Sequence, residues 1–353
     1  MLKILPYLKL CVEKNGSDLF FTAGAPAQIK VEGELYPIGK TALTREFIHE
    51  LIDSILTPEQ QQYLAQNLEI DIATEAGGLG RFRVNIFHQR GSLGMVMRYV
   101  RSQVPSLDEI PGMPPVLKEL IAQKRGLILM VGATGSGKST TLAAMINHRN
   151  QTQSGHILTI EDPIEFIHPN QRSIVNQREV GQDTVSYERA LKSSLREAPD
   201  VILVGEVRTR ETMDACIQLA NTGHLAISTL HANNAYQALQ RIVNLYPDDL
   251  REQLYMDLSL TLRAIVSQRL VRQSDGRRCA AMEVMINTPF IQELILHKRI
   301  DEIRGAMDQS SDRGMQTFDQ SLLNLYKQGT ISLDEALTNA DSRTNLEAKI
   351  NFG

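Results

Sequence analysis

Four apolar runs of strand length punctuate the middle of the chain: "LILMV" (127–131), "HILTI" (156–160), "VILVG" (201–205) and "LAISTL" (225–230). None alternates as a strand with one wet face would, so together they predict a mostly parallel sheet covered on both sides. Helix-like segments separate them, which makes 116–287 an α/β body. The N-terminal stretch reads differently. Short β-like runs ("DLFFTA", "AQIKVEG", "ELYPI") precede a helical "TREFIHELIDSIL". A hairpin-like region follows, "IDIATEAGGLGRFRVNIFHQRGSLGMVMRYV", with Gly77, Gly78 and Gly80 at one turn and Gly91 near the next. Residues 1–100 are expected to form a small mixed α+β domain. Pro105, Pro111, Pro114 and Pro115 mark 101–115 as a linker of limited freedom. From 288 to 353 the pattern turns helical, with "FIQELILHKRIDEI", "FDQSLLNLYKQG" and "SLDEALTNA". No internal repeat or low-complexity tract interrupts this plan.

Composition narrows the class. A chain of 353 residues that is 42% hydrophobic and 22% charged can bury a good core in about two domains, so global disorder is not expected. The formal charge of −4, from 37 basic and 41 acidic residues, argues against a non-specific nucleic-acid coat. Cys11, Cys216 and Cys279 are odd in number and far apart, with no C-x-x-C pair. Neither a disulfide framework nor a cysteine zinc site is indicated. Pro6 and Lys9 break "MLKILPYLKLCVEK" before a signal-peptide core can build up. No stretch approaches the ~18 apolar residues of a membrane span, so a cytoplasmic protein without direct membrane insertion is expected.

The first strand run leads into "GATGSGKSTT" (132–141), and a segment of helical composition follows. Strand, glycine-rich turn and helix are the setting that the P-loop pattern G-x-x-x-x-G-K-[ST] requires. Gly132, Ala133, Thr134, Gly135, Ser136 and Gly137 would wrap phosphate with inward-pointing amides, helped by the helix N-terminus at Lys138, Ser139 and Thr140. Lys138 would reach the β- and γ-phosphates, and the Ser139 hydroxyl would ligate Mg²⁺. The nucleotide expected is ATP.

Ligands in open α/β sheets lie beyond the carboxyl ends of the strands. Each of the other three runs ends in a polar group there: "EDPIE" (161–165), Glu206 and His231. Glu206 fits a Walker-B acid, which helps hold Mg²⁺ or polarises the attacking water. Glu165 is the candidate to orient that water, because hydrolysis needs a carboxylate against the nucleophile. His231 could donate a hydrogen bond to the γ-phosphate. His224, beside Gly223, reads equally as a helix C-terminal cap. In "RFRVNIF" the alternation puts Arg81 and Arg83 on one strand face, with Phe82 and Val84 on the other. That is either a solvated basic face or a trans-acting arginine finger aimed at a neighbouring subunit's phosphate, which Arg98 on the partner strand could join.

"GATGSGKSTT", "TIEDPIEF", "VILVGE" and "TGHLAISTLHA" stand in the order and approximate spacing of the type II/IV secretion ATPase superfamily. Within it the chain resembles the type IV pilus retraction ATPases, the PilT/PilU family, from "SDLFFTAGAPAQIKVEG" to "GMQTFDQSLLNLYKQGTIS". The resemblance implies a hexameric ring motor: a PAS-like N-terminal domain joined to a RecA-like ATPase core, with nucleotide bound between them. It implies Glu165 as catalytic base, Glu206 as the Walker-B acid, His224 and His231 as His-box residues, and Arg81, Arg83 and Arg98 as arginines that approach phosphate. A paralogous retraction motor and an inner-membrane pilus platform protein are the implied partners, with peripheral attachment to that membrane. Two departures stand out. The family often follows its Walker-B Glu with an Arg-Asp pair, where "GEVRTRE" has Thr209 after Arg208. Its retraction branch carries an "AIRNLIRE"-like segment where this chain reads "PFIQELILHKR". Together with "TLHANNAYQAL", these favour the PilU-like accessory branch. The rival readings are a small-molecule kinase, a nucleic-acid translocase on the same core, and a nucleotide-gated assembly protein with residual hydrolysis. A GTPase would need an N-K-x-D segment, which the sequence lacks.

Overall fold

The computed structural model describes residues 3–31, 33–100, 104–310 and 314–352. It divides into two compact units, Met1–Gln103 and Val104–Gly353.

The first unit opens with helix α1 (Leu5–Glu13), strands β1 (Asp18–Phe21), β2 (Ala27–Val31) and β3 (Glu34–Ile38), and helices α2 (Arg45–Asp53) and α3 (Pro58–Asn67). Three longer strands follow: β4 (Glu69–Ala76), β5 (Gly80–Gln89) and β6 (Ser92–Val100). All six strands pair antiparallel in the order β3-β2-β1-β6-β5-β4. Thr44 and Thr57 start α2 and α3 by accepting hydrogen bonds from Phe47 N and Gln60 N, which satisfies amides the first turn leaves open. One sheet face is apolar because β5 and β6 alternate: Phe82, Val84, Ile86, Met95 and Met97 are buried, and Ile48, Leu51 and Ile52 of α2 join the same core. Arg81 and Arg83 therefore share the other face.

In the second unit, α4 (Val116–Ile121) precedes β7 (Gly126–Val131), α5 (Lys138–Thr152), β8 (Gly155–Glu161) and β9 (Ser173–Glu179). Next come α6 (Tyr187–Ser194), β10 (Val201–Val204), α7 (Arg210–Asn221), β11 (Leu225–Leu230), α8 (Ala235–Asn244) and α9 (Arg251–Thr261). The hairpin β12 (Leu262–Arg272) and β13 (Arg278–Ile286) completes the sheet. Among the described residues, α-helices α10 (Pro289–Leu296), α11 (Ile303–Gln309), α12 (Phe318–Lys327), α13 (Leu333–Asn339) and α14 (Arg343–Phe352) follow the sheet. The strand order is β13-β12-β7-β11-β10-β8-β9, parallel throughout except for β13.

All six residues of β7 are buried. Leu127, Leu129 and Val131 face one apolar cluster with residues of α7, α8 and α9, while Ile128 and Met130 face a second with α4 and α5. This two-sided burial is why the strand reads as an unbroken apolar run. The division between the two units falls within the proline-rich stretch 101–115. Residues 101–103 lie outside the described residues, and from 104 on the chain packs with the second unit. Leu107 is buried in the second cluster, and Ala280 N donates to Pro111 O at 3.1 Å. Of the C-terminal helices, α12, α13 and α14 cover Val271, Cys279 and Ala281 of the β12–β13 hairpin with Phe318, Leu322, Leu325 and Leu346. Among the described residues, no helix is long and apolar enough to cross a membrane.

Candidate functional site

The loop after β7 is shaped by the strand beside it. Gly132 has φ 154°, and a Cβ there would lie 2.6 Å from Gln268 O of β12. Gly137, at φ 86°, opens α5 where a Cβ would lie 2.8 Å from Gln268 Nε2. Gly132 is thus required by close backbone approach and Gly137 by its left-handed turn geometry. Gln268 is itself buried, and its Oε1 accepts from Thr141 Oγ1 at 2.7 Å, so one side chain joins the loop, α5 and β12. Sequence reasoning missed this residue.

The loop fits a phosphate chain on three grounds. No side chain caps the N-terminus of the 15-residue α5, which leaves its first amides to a ligand. Ser136 Oγ is buried without a hydrogen-bond partner among the described residues, an orphan beside the same amides. The space over Gly132, Ala133, Thr134, Gly135 and Ser136 continues into a cavity of about 480 Å³, reaching Asn233, Leu270, Arg272 and Arg278. That volume is ordinary for a small-molecule site. Ser139 is exposed at the helix start and Thr140 half-buried beside it.

Lys138 is half-buried, and its Nζ donates to Gly132 O at 2.7 Å and Ala133 O at 2.9 Å. Burial lowers its pKa, and the charge of Glu206 opposes that shift. Glu206 lies just past β10, its carboxylate shared between Arg208 and His231. Arg208 Nε donates to Oε2 at 2.7 Å, and His231 Nε2 lies 3.2 Å from Oε1. The ion pair with Glu206 raises the Arg208 pKa. The carboxyl ends of β7, β10 and β11 thereby bring Lys138, Glu206 and His231 together, as their strand positions lead one to expect. Thr209 accepts from Thr212 N at 3.4 Å and caps α7. An Asp at that position would serve equally as a cap, so the departure costs the fold little while leaving Arg208 to Glu206.

Glu165 is exposed on the loop after β8. Glu161, at the end of that strand, is buried enough to push its carboxyl up to about 6, against hydrogen bonds from Thr159, Gln177 and the Glu165 backbone that hold it down. His224 stands elsewhere. It sits at the amino end of β11, where its N donates to Leu219 O at 3.1 Å and closes the C-terminus of α7 through Gly223 (φ 101°). Within its own chain it is a capping residue, not a neighbour of the phosphate loop.

In the first unit, Arg83 pairs across the sheet with Arg98, and Arg98 pairs on its other side with Asp18. Asp18 is buried and accepts from Arg98 Nε at 2.8 Å. Arg98 is therefore partly committed to holding its own sheet, whereas the Arg83 side chain has no hydrogen-bond or ion-pair partner among the described residues.

These residues could hold Mg²⁺ in the manner usual for nucleotide enzymes, with few protein ligands and the phosphates supplying the rest. Among the described residues no group of three or more His, Cys, Asp or Glu forms a protein-only metal site. Replacing Lys138 by Ala should sharply weaken productive triphosphate binding, because no second lysine stands at the loop to take over its charge. Titration with a fluorescent ATP analogue checks this, and unchanged affinity and turnover would remove the phosphate-site assignment.

Comparison with known proteins adds four findings. The type II/IV secretion system protein family matches residues 55–338. The chain is 51% identical over 347 residues to the type IV pilus ATPase PilU of Pseudomonas aeruginosa, spanning 98% of this chain and 91% of that protein. It is 41% identical over 333 residues to the retraction ATPase PilT of the same organism, spanning 94% and 96%. Among solved structures, the pilus retraction motor PilT with bound ADP matches at a TM-score of 0.90 and 40% identity, covering 98% of each chain.

Proposed function

The chain belongs to the type II/IV secretion system protein family, and from that premise we propose that it is an ATP-hydrolysing motor of the type IV pilus machine. It drives or assists pilus retraction, as the PilU-like accessory member of a pair. The observation that carries this reading is the meeting of Lys138, Glu206 and His231 at the carboxyl ends of three adjacent parallel strands, beside a loop built for phosphate.

In the proposed reaction, water attacks the γ-phosphorus of ATP and the bond to the β–γ bridging oxygen breaks, giving ADP and phosphate. Lys138 and the loop amides hold the β- and γ-phosphates. Glu165 orients the attacking water and accepts its proton. Mg²⁺, held through Ser139 and Glu206, would neutralise charge on the β- and γ-oxygens. His231 turns from Glu206 to donate to the γ-phosphate, so the 3.2 Å contact with Glu206 is the resting form of that contact. Arg81, Arg83 and Arg98 face the phosphate of a neighbouring copy in a homohexameric ring. The ring works at the cytoplasmic face of the inner membrane, beside a paralogous retraction motor and a membrane platform protein. Support for the accessory role comes from the greater similarity to PilU than to PilT, and from "PFIQELILHKR" after the core.

The test in cells is deletion of the gene. Surface pili should remain while retraction under load weakens, measured as pulling force in an optical trap. Loss of surface pili would identify an extension motor instead. Turnover stimulated only by DNA would favour a translocase, and its absence with or without the paralogous motor an assembly protein.

A further inference from the structure

The loop that carries Glu165 is braced in a way that an exposed turn does not require. Residues 162–172 join β8 to β9, which pair in parallel with Thr159 opposite Gln177 and Glu161 opposite Glu179. A surface loop ordinarily leaves its backbone groups to water. Here three side chains from the two strands take them instead. Glu179 Oε2 accepts from Ile164 N at 3.2 Å, and the Glu161 carboxylate accepts from Glu165 N. Gln177 grips the next turn twice: Nε2 donates to Phe166 O at 2.9 Å, and Oε1 accepts from His168 N at 2.8 Å. The same Nε2 lies 3.4 Å from Glu161 Oε1, which also accepts from Thr159 Oγ1 at 2.6 Å. The side chains of the segment follow suit. Ile164, Phe166 and His168 are buried, and Glu165 between them is exposed. The backbone of the segment is thus held from the two strands, while the Glu165 side chain is exposed and its charge reaches Glu161.

We infer that Gln177 is a positioning residue for hydrolysis: its amide locks the backbone at Phe166 and His168 and so fixes where the Glu165 carboxylate stands. The inference rests on the reading of Glu165 as the group that orients water. Gln177 suits this role because it alone among the three braces supplies both a donor and an acceptor, which defines orientation as well as distance. It belongs to β9, two strands beyond β10, and is not among the residues lining the space at the phosphate loop. Its loss should therefore reach the chemistry only through the Glu165 loop. A nucleophile displaced by about 1 Å can lose on the order of 10²-fold in rate, whereas binding at the loop after β7 has no reason to change.

The experiment is a double-substitution cycle read by single-turnover hydrolysis and by ATP titration in the full-length protein. Gln177→Ala should lower kcat by about 10- to 100-fold with KM for ATP nearly unchanged. In a Glu165→Gln background the same substitution should have less than about a two-fold further effect, because a group acting only through Glu165 has nothing left to position. Equal effects in the two backgrounds would overturn the inference, as would an unchanged kcat in Gln177→Ala or a loss appearing only in KM. Thermal unfolding checks integrity. If Gln177→Ala does not fold, Gln177→Glu carries the same cycle, since it keeps an acceptor for His168 N and loses the donor to Phe166 O. A Glu165→Gln protein that turns over at the parent rate brings down the reading of Glu165 itself, a result distinct from additivity in the cycle.

Discussion

Glu165→Gln and Glu206→Gln should each leave ATP binding largely intact and lower hydrolysis by ~10² to 10⁴. An amide keeps the shape of the carboxylate and loses its charge. Neither residue belongs to the loop that grips phosphate, so affinity has little reason to fall. The two substitutions differ in what else they disturb. Glu165 is exposed, and changing it removes only the acceptor for the water's proton. Glu206 sits between Arg208 and His231, with one carboxylate oxygen committed to each. A glutamine there can accept from one of them and must present an NH₂ group to the other, which repels a donor. Glu206→Gln should thus also raise the Mg²⁺ concentration needed for half-maximal rate, while Glu165→Gln should not. Single-turnover hydrolysis across a Mg²⁺ series measures both effects. Normal turnover in both proteins would mean that the carboxylates at these strand ends do no chemistry.

How much of the fold and site is legible in the sequence follows burial. Strands β7, β10 and β11 are covered on both faces, so their apolar runs announce them and the polar residues that follow mark the site. The β12–β13 hairpin hides for the opposite reason. Helix α9 runs into β12 at Leu262 with no Gly or Pro between, and Ser267, Gln268 and Arg269 interrupt the apolar pattern. Gln268 is buried because Thr141, 127 residues away in sequence, and the loop glycines meet it, a pairing no local pattern contains. The braces on the Glu165 loop are equally silent. In "SIVNQRE" the polar residues look solvated, and only the parallel register with β8 turns Gln177 and Glu179 inward to the loop. The two histidines part in a different way. They bracket one strand, and a strand of that length holds its ends on the order of 20 Å apart. His231 can therefore belong to the phosphate site while His224 caps a helix. The connector prolines announce restricted freedom, but proline restricts φ without deciding what the chain packs on, and Leu107 packs in a cluster of the second unit.

Arg83→Ala should lower hydrolysis by ~10³ to 10⁵, the range associated with an arginine finger, while the protein still folds and binds ATP. The expectation comes from what Lys138 already supplies. A loop with its own lysine and helix N-terminus can hold phosphate without a second source of positive charge. A ring that couples hydrolysis to movement gains when some of that charge comes from another body, because catalysis then depends on closure. Arg83 is the residue proposed to supply it. The residue lies on the face of β5 turned from the core, in the unit that does not contain the phosphate loop, and the neighbouring Arg98 already holds Asp18. Folding should survive, since the strand is anchored by Phe82, Val84 and Ile86 on the opposite face. The decisive form of the test mixes Arg83→Ala protein with Lys138→Ala protein, each inactive alone. If the arginine acts across a subunit joint, mixed rings contain interfaces where an intact Lys138 meets an intact Arg83, and activity returns. No recovery despite verified subunit exchange would place the arginine's action within its own chain. Full activity of Arg83→Ala alone would leave Arg81 and Arg83 as a solvated basic face, and closure would then have to be sensed by His231 and Glu206 without charge from outside.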